Sequence, residues 1–126
     1  MIGFVPGYFD LFHVGDLDLL RQAREHCDHL VAGVGGDDLR GCYMPFPERA
    51  EILRNVRYVD EVTELDSWDL AQAHARLGFS VIVVPAGQPV DLPAELGVTV
   101  ITLTGLRATA SPRVRAALSR PRTAAA

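Results

Sequence analysis

The chain has 126 residues, enough for one domain and too few for two. Hydrophobic residues make up 48% of it, which supports a packed core and excludes wholesale disorder. A net charge of -4 argues against a general nucleic-acid or membrane-surface binder, the Arg-rich stretch 107–122 being the one local exception.

Residues 2–6 form a short apolar run that ends at Gly7 and reads as a strand. Leu17, Leu20, Ala23 and Cys27 recur at helical spacing, which predicts a helix over 17–26 with Asp16 as its N-cap. His29 to Gly35 (HLVAGVG) is a second strand. Pro47 opens a second helix, over 47–56. Glu61 to Leu65 is a weaker third strand. A helix over 67–77 is capped by Ser67 and stopped by Gly78. The runs 80–84 and 98–103 are the fourth and fifth strands, and 111–118 is a last short helix with Pro112 in its first turn.

This alternation predicts an α/β fold, a Rossmann-like, doubly wound, mostly parallel five-stranded sheet. HLVAGVG and SVIVV suit strands buried on both faces. One domain over 1–118 and a C-terminal tail over 119–126 are expected. Cys27 and Cys42 are too few for a disulfide framework and lack zinc spacing, so reduced thiols in a cytoplasmic protein are expected. No leader sequence is recognised, and no apolar run approaches the roughly 20 residues of a membrane span.

In such sheets ligands sit at the carboxyl ends of the strands. The loops placed there are 6–16, 85–89 and 104–111. The first reads Gly7-Tyr8-Phe9-Asp10-Leu11-Phe12-His13-Val14-Gly15-Asp16 and runs into a helix. Glycines let backbone approach a ligand, helix N–H groups suit a phosphate, and His13 can donate to a phosphoryl oxygen. The same spacing also fits a plain strand, an Asx turn at Asp10 and a capped helix.

Several segments together resemble the cytidylyltransferase-like family, of the glycerol-3-phosphate cytidylyltransferase type. The loop is similar to that family's G-T-F-D-L-x-H-x-G-H signature. Residues 47–53 resemble its helix before the third strand, Arg57-Tyr58-Val59-Asp60-Glu61-Val62 matches its R-Y-V-D-E-V run, and 109–115 resemble its I-S-T-T-x-I-R segment. The resemblance implies attack of an acceptor phosphate on the α-phosphorus of CTP or another nucleoside triphosphate, with Mg²⁺ as cofactor and pyrophosphate leaving. It implies a small phosphorylated or phosphonate acceptor, and a homodimer for which Trp68 and Tyr58 are candidate surface residues. By the same resemblance His13, Asp16 and Arg57 occupy catalytic positions. Gly7, Tyr8, Phe9, Asp10, His13, Gly15, Arg107, Ser111 and Arg113 occupy nucleotide-binding positions, and no side chain is assigned to a metal.

The chain departs from the family pattern on its loops. Asp16 stands where the signature has its second histidine. It is read as a helix cap, as a metal ligand, or as a partner for an amine on the acceptor. Tyr8 replaces a threonine, Pro85-Ala86-Gly87-Gln88-Pro89 replaces an acidic element, and Arg107 stands near the place of a missing Arg-Thr pair. Arg57 has a plainer alternative as a surface partner of Asp60 or Glu61, and Asp37 or Asp38 could reach a ribose or acceptor. A repurposed or impaired nucleotide-binding domain and an adenylyltransferase are the competing readings.

Overall fold

The computed structural model describes residues 1–119. Five strands, β1 (Ile2–Gly7), β2 (His29–Gly35), β3 (Glu61–Leu65), β4 (Val81–Pro85) and β5 (Thr99–Leu103), alternate with helices α1 (Val14–Arg24), α2 (Phe46–Arg54) and α3 (Leu70–Leu77). A 3₁₀ turn at Ala94–Leu96 precedes β5, and α4 (Pro112–Ser119) follows it. The sheet order is β3-β2-β1-β4-β5, and every pairing is parallel. The predicted doubly wound sheet is therefore present, with all of its pairings parallel. The expected tail lies outside the described residues except for Ser119, which closes α4.

The alternation of side chains along a strand divides the core into two layers. On one face Val5, Ala32, Val34 and Val83 pack against Leu19, Leu20 and Ala23 of α1 and Leu53 of α2. On the other, Phe4, Val31, Ile82 and Val84 pack against Leu70 and Ala73 of α3. Phe4 and Phe79 stack there with ring centroids 4.6 Å apart. Close packing demands glycine at position 33, where a Cβ would come within 2.3 Å of the Phe4 ring.

Two helix caps differ from expectation. His13, not Asp16, is the N-cap of α1: its Nδ1 accepts from the Gly15 N–H at 3.0 Å. Asp16 is the third helical residue, and its carboxylate accepts from the His13 N–H at 3.2 Å, completing a capping box. A histidine nitrogen can serve as cap acceptor as well as an aspartate can, and here the helix begins one turn earlier than its apolar periodicity shows. α3 is likewise capped by Asp69, which accepts from Gln72 N–H at 3.1 Å, rather than by Ser67. Gly78 ends α3 in the left-handed region, as its position predicts.

Candidate active site

The strand order reverses between β1 and β4, so the loops leaving these two strands diverge and leave a crevice. A cavity of about 560 Å³ opens there. Its wall takes Gly7, Tyr8, Phe9, Asp10, His13 and Asp16 from the first loop and helix, and Pro85, Gln88, Pro89 and Asp91 from beyond β4. Arg40, Trp68, Leu70 and Leu118 complete the sides.

The first loop is held in a conformation that its sequence does not favour. Phe9 and Leu11 both have φ of 52°, in the left-handed region where a side chain costs roughly 1–2 kcal/mol. Burial imposes it. The Phe9 ring is only 6% exposed, inside the first core layer, and the buried Asp10 carboxylate accepts from the N–H groups of Tyr43 (2.7 Å) and Met44 (3.0 Å). Strain of this kind, over-determined by packing, is characteristic of ligand loops.

Arg49 of α2 organises the floor. It is fully buried, and its guanidinium donates to the carbonyls of Tyr8 (2.8 Å), Gly35 (2.8 Å) and Met44 (2.9 Å) and to Asp37 Oδ1 (2.7 Å). One side chain thus ties together the ends of β1 and β2 and the loop that leads into α2. Asp37 also accepts from the Phe46 N–H, and that bond, with Arg49 beside it, holds its carboxyl below the usual range. In the free chain the residue acts as a structural anchor between Arg49 and the start of α2.

The imidazole of His13 is oriented by its own helix. Because Nδ1 accepts from Gly15, the neutral ring carries its proton on Nε2. Nε2 lies 3.6 Å from Asp16 Oδ2, and both residues line the cavity. Gly15 itself is buried beneath them, where a Cβ would meet the Arg107 carbonyl at 2.6 Å.

Tyr8 forms the wall on the β2 side. Its ring stacks on Trp68, with centroids 5.1 Å apart and planes 7° apart, and the Arg40 guanidinium sits over the same ring at 3.8 Å. The ring covers Gly35, whose absent Cβ would fall 2.5 Å from it. Burial pushes the Tyr8 phenol above its usual range, so it is neutral at pH 7. Trp68 thus spends one face on Tyr8 and packs on the second core layer, while Tyr58 packs on the first.

Gly15, Arg57, Arg107, Ser111 and Arg113 are not in the cavity wall. The Arg107 N–H donates to Asp18 Oδ2 at 3.1 Å, which pins the loop after β5 to α1. Ser111 Oγ accepts from the Val114 N–H and so caps α4, whose Leu118 reaches the cavity. Arg113 is exposed in the first turn of α4. Arg57 is exposed three residues before Asp60, whose carboxylate accepts from the N–H of Leu30 at the start of β2. In a single chain it therefore sits at the opposite end of the sheet from the cavity. Neither acidic neighbour pairs with it: Asp60 bonds Arg24 and Leu30, and Glu61 lies 4.0 Å from His29. Arg40 and Arg49 are the site cations that sequence reasoning passed over.

Charge in the cavity is uneven. Among the described residues Arg40 is its one arginine or lysine, while Asp10 and Asp16 come from the first loop and α1 and Asp91 from beyond β4. Among the described residues no three His, Cys, Asp or Glu side chains converge into a metal cage. Magnesium at such a site would be carried largely by phosphate oxygens, with at most one or two carboxylates added. The donor set is compatible with that arrangement.

A doubly wound α/β sheet with a helix-capping histidine and a strained, glycine-bounded loop at its switch point has the architecture in which such sheets seat their ligands. The chain belongs to the cytidylyltransferase-like family, whose model matches residues 4–111. It is 35% identical over 68 residues to glycerol-3-phosphate cytidylyltransferase of Bacillus subtilis, covering 50% of this chain and 53% of that one. It is 45% identical over 64 residues to FAD synthase of Thermococcus kodakarensis, covering 46% and 43%. The matched stretches thus span about half of these relatives' own length or less. A lipopolysaccharide core biosynthesis protein from Thermoplasma volcanium shares the fold with a TM-score of 0.72 at 19% identity, covering 82% of this chain and 94% of its own. No helix among the described residues is long and apolar enough to cross a membrane.

Proposed function

We propose that the chain transfers a nucleotidyl group from CTP to a small phosphorylated acceptor, releasing pyrophosphate. The observation that carries this reading is the placement of His13. Its Nε2–H faces a cavity at the N-terminus of α1 and at the switch point of the sheet, where a triphosphate would find both a donor and a helix dipole.

In the proposed reaction an acceptor phosphate oxygen attacks the α-phosphorus, the α–β bridging bond breaks, and its electrons leave on pyrophosphate. The protein positions the reactants and stabilises charge. The Gly7–Phe9 backbone lines the nucleotide's path, and His13 Nε2–H donates to a phosphoryl oxygen as charge builds. Ser111 and Arg113 would approach the phosphates from α4, and Arg107 from the loop pinned by Asp18. Arg57 would act only from outside this chain's own cavity, as in a homodimer. Mg²⁺, when bound with the triphosphate, supplies charge neutralisation.

One feature favours a second reading, a nucleotide-binding domain with reduced turnover. Asp16 puts a carboxylate 3.6 Å from the donor nitrogen of His13. Pyrophosphate release measured with CTP and with ATP, each against a panel of small phosphate monoesters, decides among the possibilities. Release with CTP supports transfer, release with ATP alone moves the activity to adenylyl transfer, and CTP binding without release supports the second reading.

A further inference from the structure

Two buried side-chain nitrogens in the described protein have no hydrogen-bond partner, Arg40 Nε and Gln88 Nε2, and both belong to residues lining the same cavity. Buried donors are paired in the great majority of cases, so an unpaired one is best explained by a missing acceptor. The two come from different loops. Arg40 follows β2 and Gln88 follows β4, the two strands that flank β1. They therefore bracket the end of β1, where the first loop begins.

The pair is chemically unequal. The Arg40 guanidinium sits over the Tyr8 ring at 3.8 Å, and that ring stacks on Trp68, so the cation is held at the cavity wall without any anion present. A planar, always-charged fork of this kind suits an oxyanion. Gln88 offers a neutral amide donor, suited to a hydroxyl or carbonyl oxygen. Among the described residues that line the cavity, Arg40 is the one arginine or lysine, against Asp10, Asp16 and Asp91, so a further negative charge is best placed beside Arg40.

We infer that Arg40 and Gln88 form the acceptor subsite, taking a small hydroxylated phosphate monoester with its phosphate on Arg40 and a hydroxyl oxygen on Gln88. This rests on the transferase reading for the word acceptor, but the binding claim stands by itself. Tyr8 and Trp68 hold the guanidinium in place and supply the apolar wall beneath it.

Trp68 is the chain's only tryptophan and reports directly on this stack. Its fluorescence can be followed while glycerol 3-phosphate, inorganic phosphate or glycerol is added. The two phosphates are expected to change the emission saturably, and glycerol is not. Arg40→Gln should weaken both phosphates at least tenfold, and Arg40→Lys should recover part of that loss. Gln88→Leu should weaken glycerol 3-phosphate several-fold while leaving inorganic phosphate within twofold. Circular dichroism melts of each variant confirm folding. Phosphate binding by Arg40→Gln at the parental affinity, or no saturable response in the parent, overturns the inference. A uniform loss for both ligands in Gln88→Leu overturns the hydroxyl contact. CTP with Mg²⁺ titrated into the parent tests the transferase reading separately. Phosphate binding without CTP binding would keep the subsite and remove the proposed reaction.

Discussion

His13 and Asp16 cap each other's end of the first turn of α1: the imidazole accepts from the backbone of Gly15, the carboxylate accepts from the backbone of His13, and the two side chains meet at 3.6 Å. The same histidine that starts the helix is therefore the residue that faces the cavity. Structural and chemical roles can be separated by choosing the replacement. Asn caps helices well but has no ring nitrogen at the Nε2 position. His13→Asn is expected to melt within a few degrees of the parent and to lose about 10²–10³-fold in pyrophosphate release. His13→Ala should lose as much activity and in addition about 1 kcal/mol of stability. Parental turnover in His13→Asn would remove the histidine from the chemistry.

Asp16 acts in the opposite sense. A phosphate seated within about 4 Å of its carboxylate feels a repulsion of order 4 kcal/mol at an effective dielectric near 20. Asp16→Asn should tighten CTP at least tenfold in low salt, with the gain shrinking as ionic strength rises. The cost should be only some 0.3–1 kcal/mol of helix stability, from the lost charge at the first turn. Calorimetric titration at two salt concentrations reads both. Weaker CTP binding in this variant would instead assign the carboxylate to a metal.

Arg49 tests how far the site depends on a buried cation. Arg49→Met fills much of the space but strands the carbonyls of Tyr8, Gly35 and Met44 and releases Asp37. Leaving a buried carbonyl without its donor costs about 1–3 kcal/mol. Urea denaturation should show a loss of that size. A shift below about 1 kcal/mol would mean that water reaches these carbonyls.

Asp18 supplies a pH signature. Its side chain is 6% exposed, and the bond from Arg21, followed by that from the Arg107 N–H, holds its carboxyl below the usual range. A carboxyl lowered by folding stabilises the fold above its unfolded value of about 3.9, and that contribution is lost as pH falls through the folded value. Asp18→Asn should therefore melt below the parent at neutral pH, and the gap should close in acid beneath that value. A gap unchanged from neutral pH to strong acid would show that the charge of Asp18 does not hold the loop after β5.

The framework of this fold was legible because its signals are local. HLVAGVG became β2 at the expected bounds, since a long apolar run closed by glycines needs no tertiary information, and the weaker EVTEL run became β3 at its expected bounds as well. The site was legible in its first loop, where six of the expected residues line one cavity. Its remaining parts are long-range. Arg49 sits at a position of α2 indistinguishable in sequence from a solvent-facing arginine; only three carbonyls from separate segments make it fully buried. Arg40 lies in a stretch without periodicity, and its place over Tyr8 depends on the register of β2 against β1. Arg57 is the converse case. Its motif is recognisable, but chain direction carries it to the far end of the sheet.

The central claim is that the loop leaving β1 and the N-terminus of α1 receive the phosphates of a nucleotide. Titration of ¹⁵N-labelled protein with CTP and Mg²⁺ tests it most directly. The account predicts saturable shifts in the amides of Gly7, Gly15 and His13, with the Trp68 indole responding in parallel. Unmoved resonances at all three amides under millimolar CTP would contradict it.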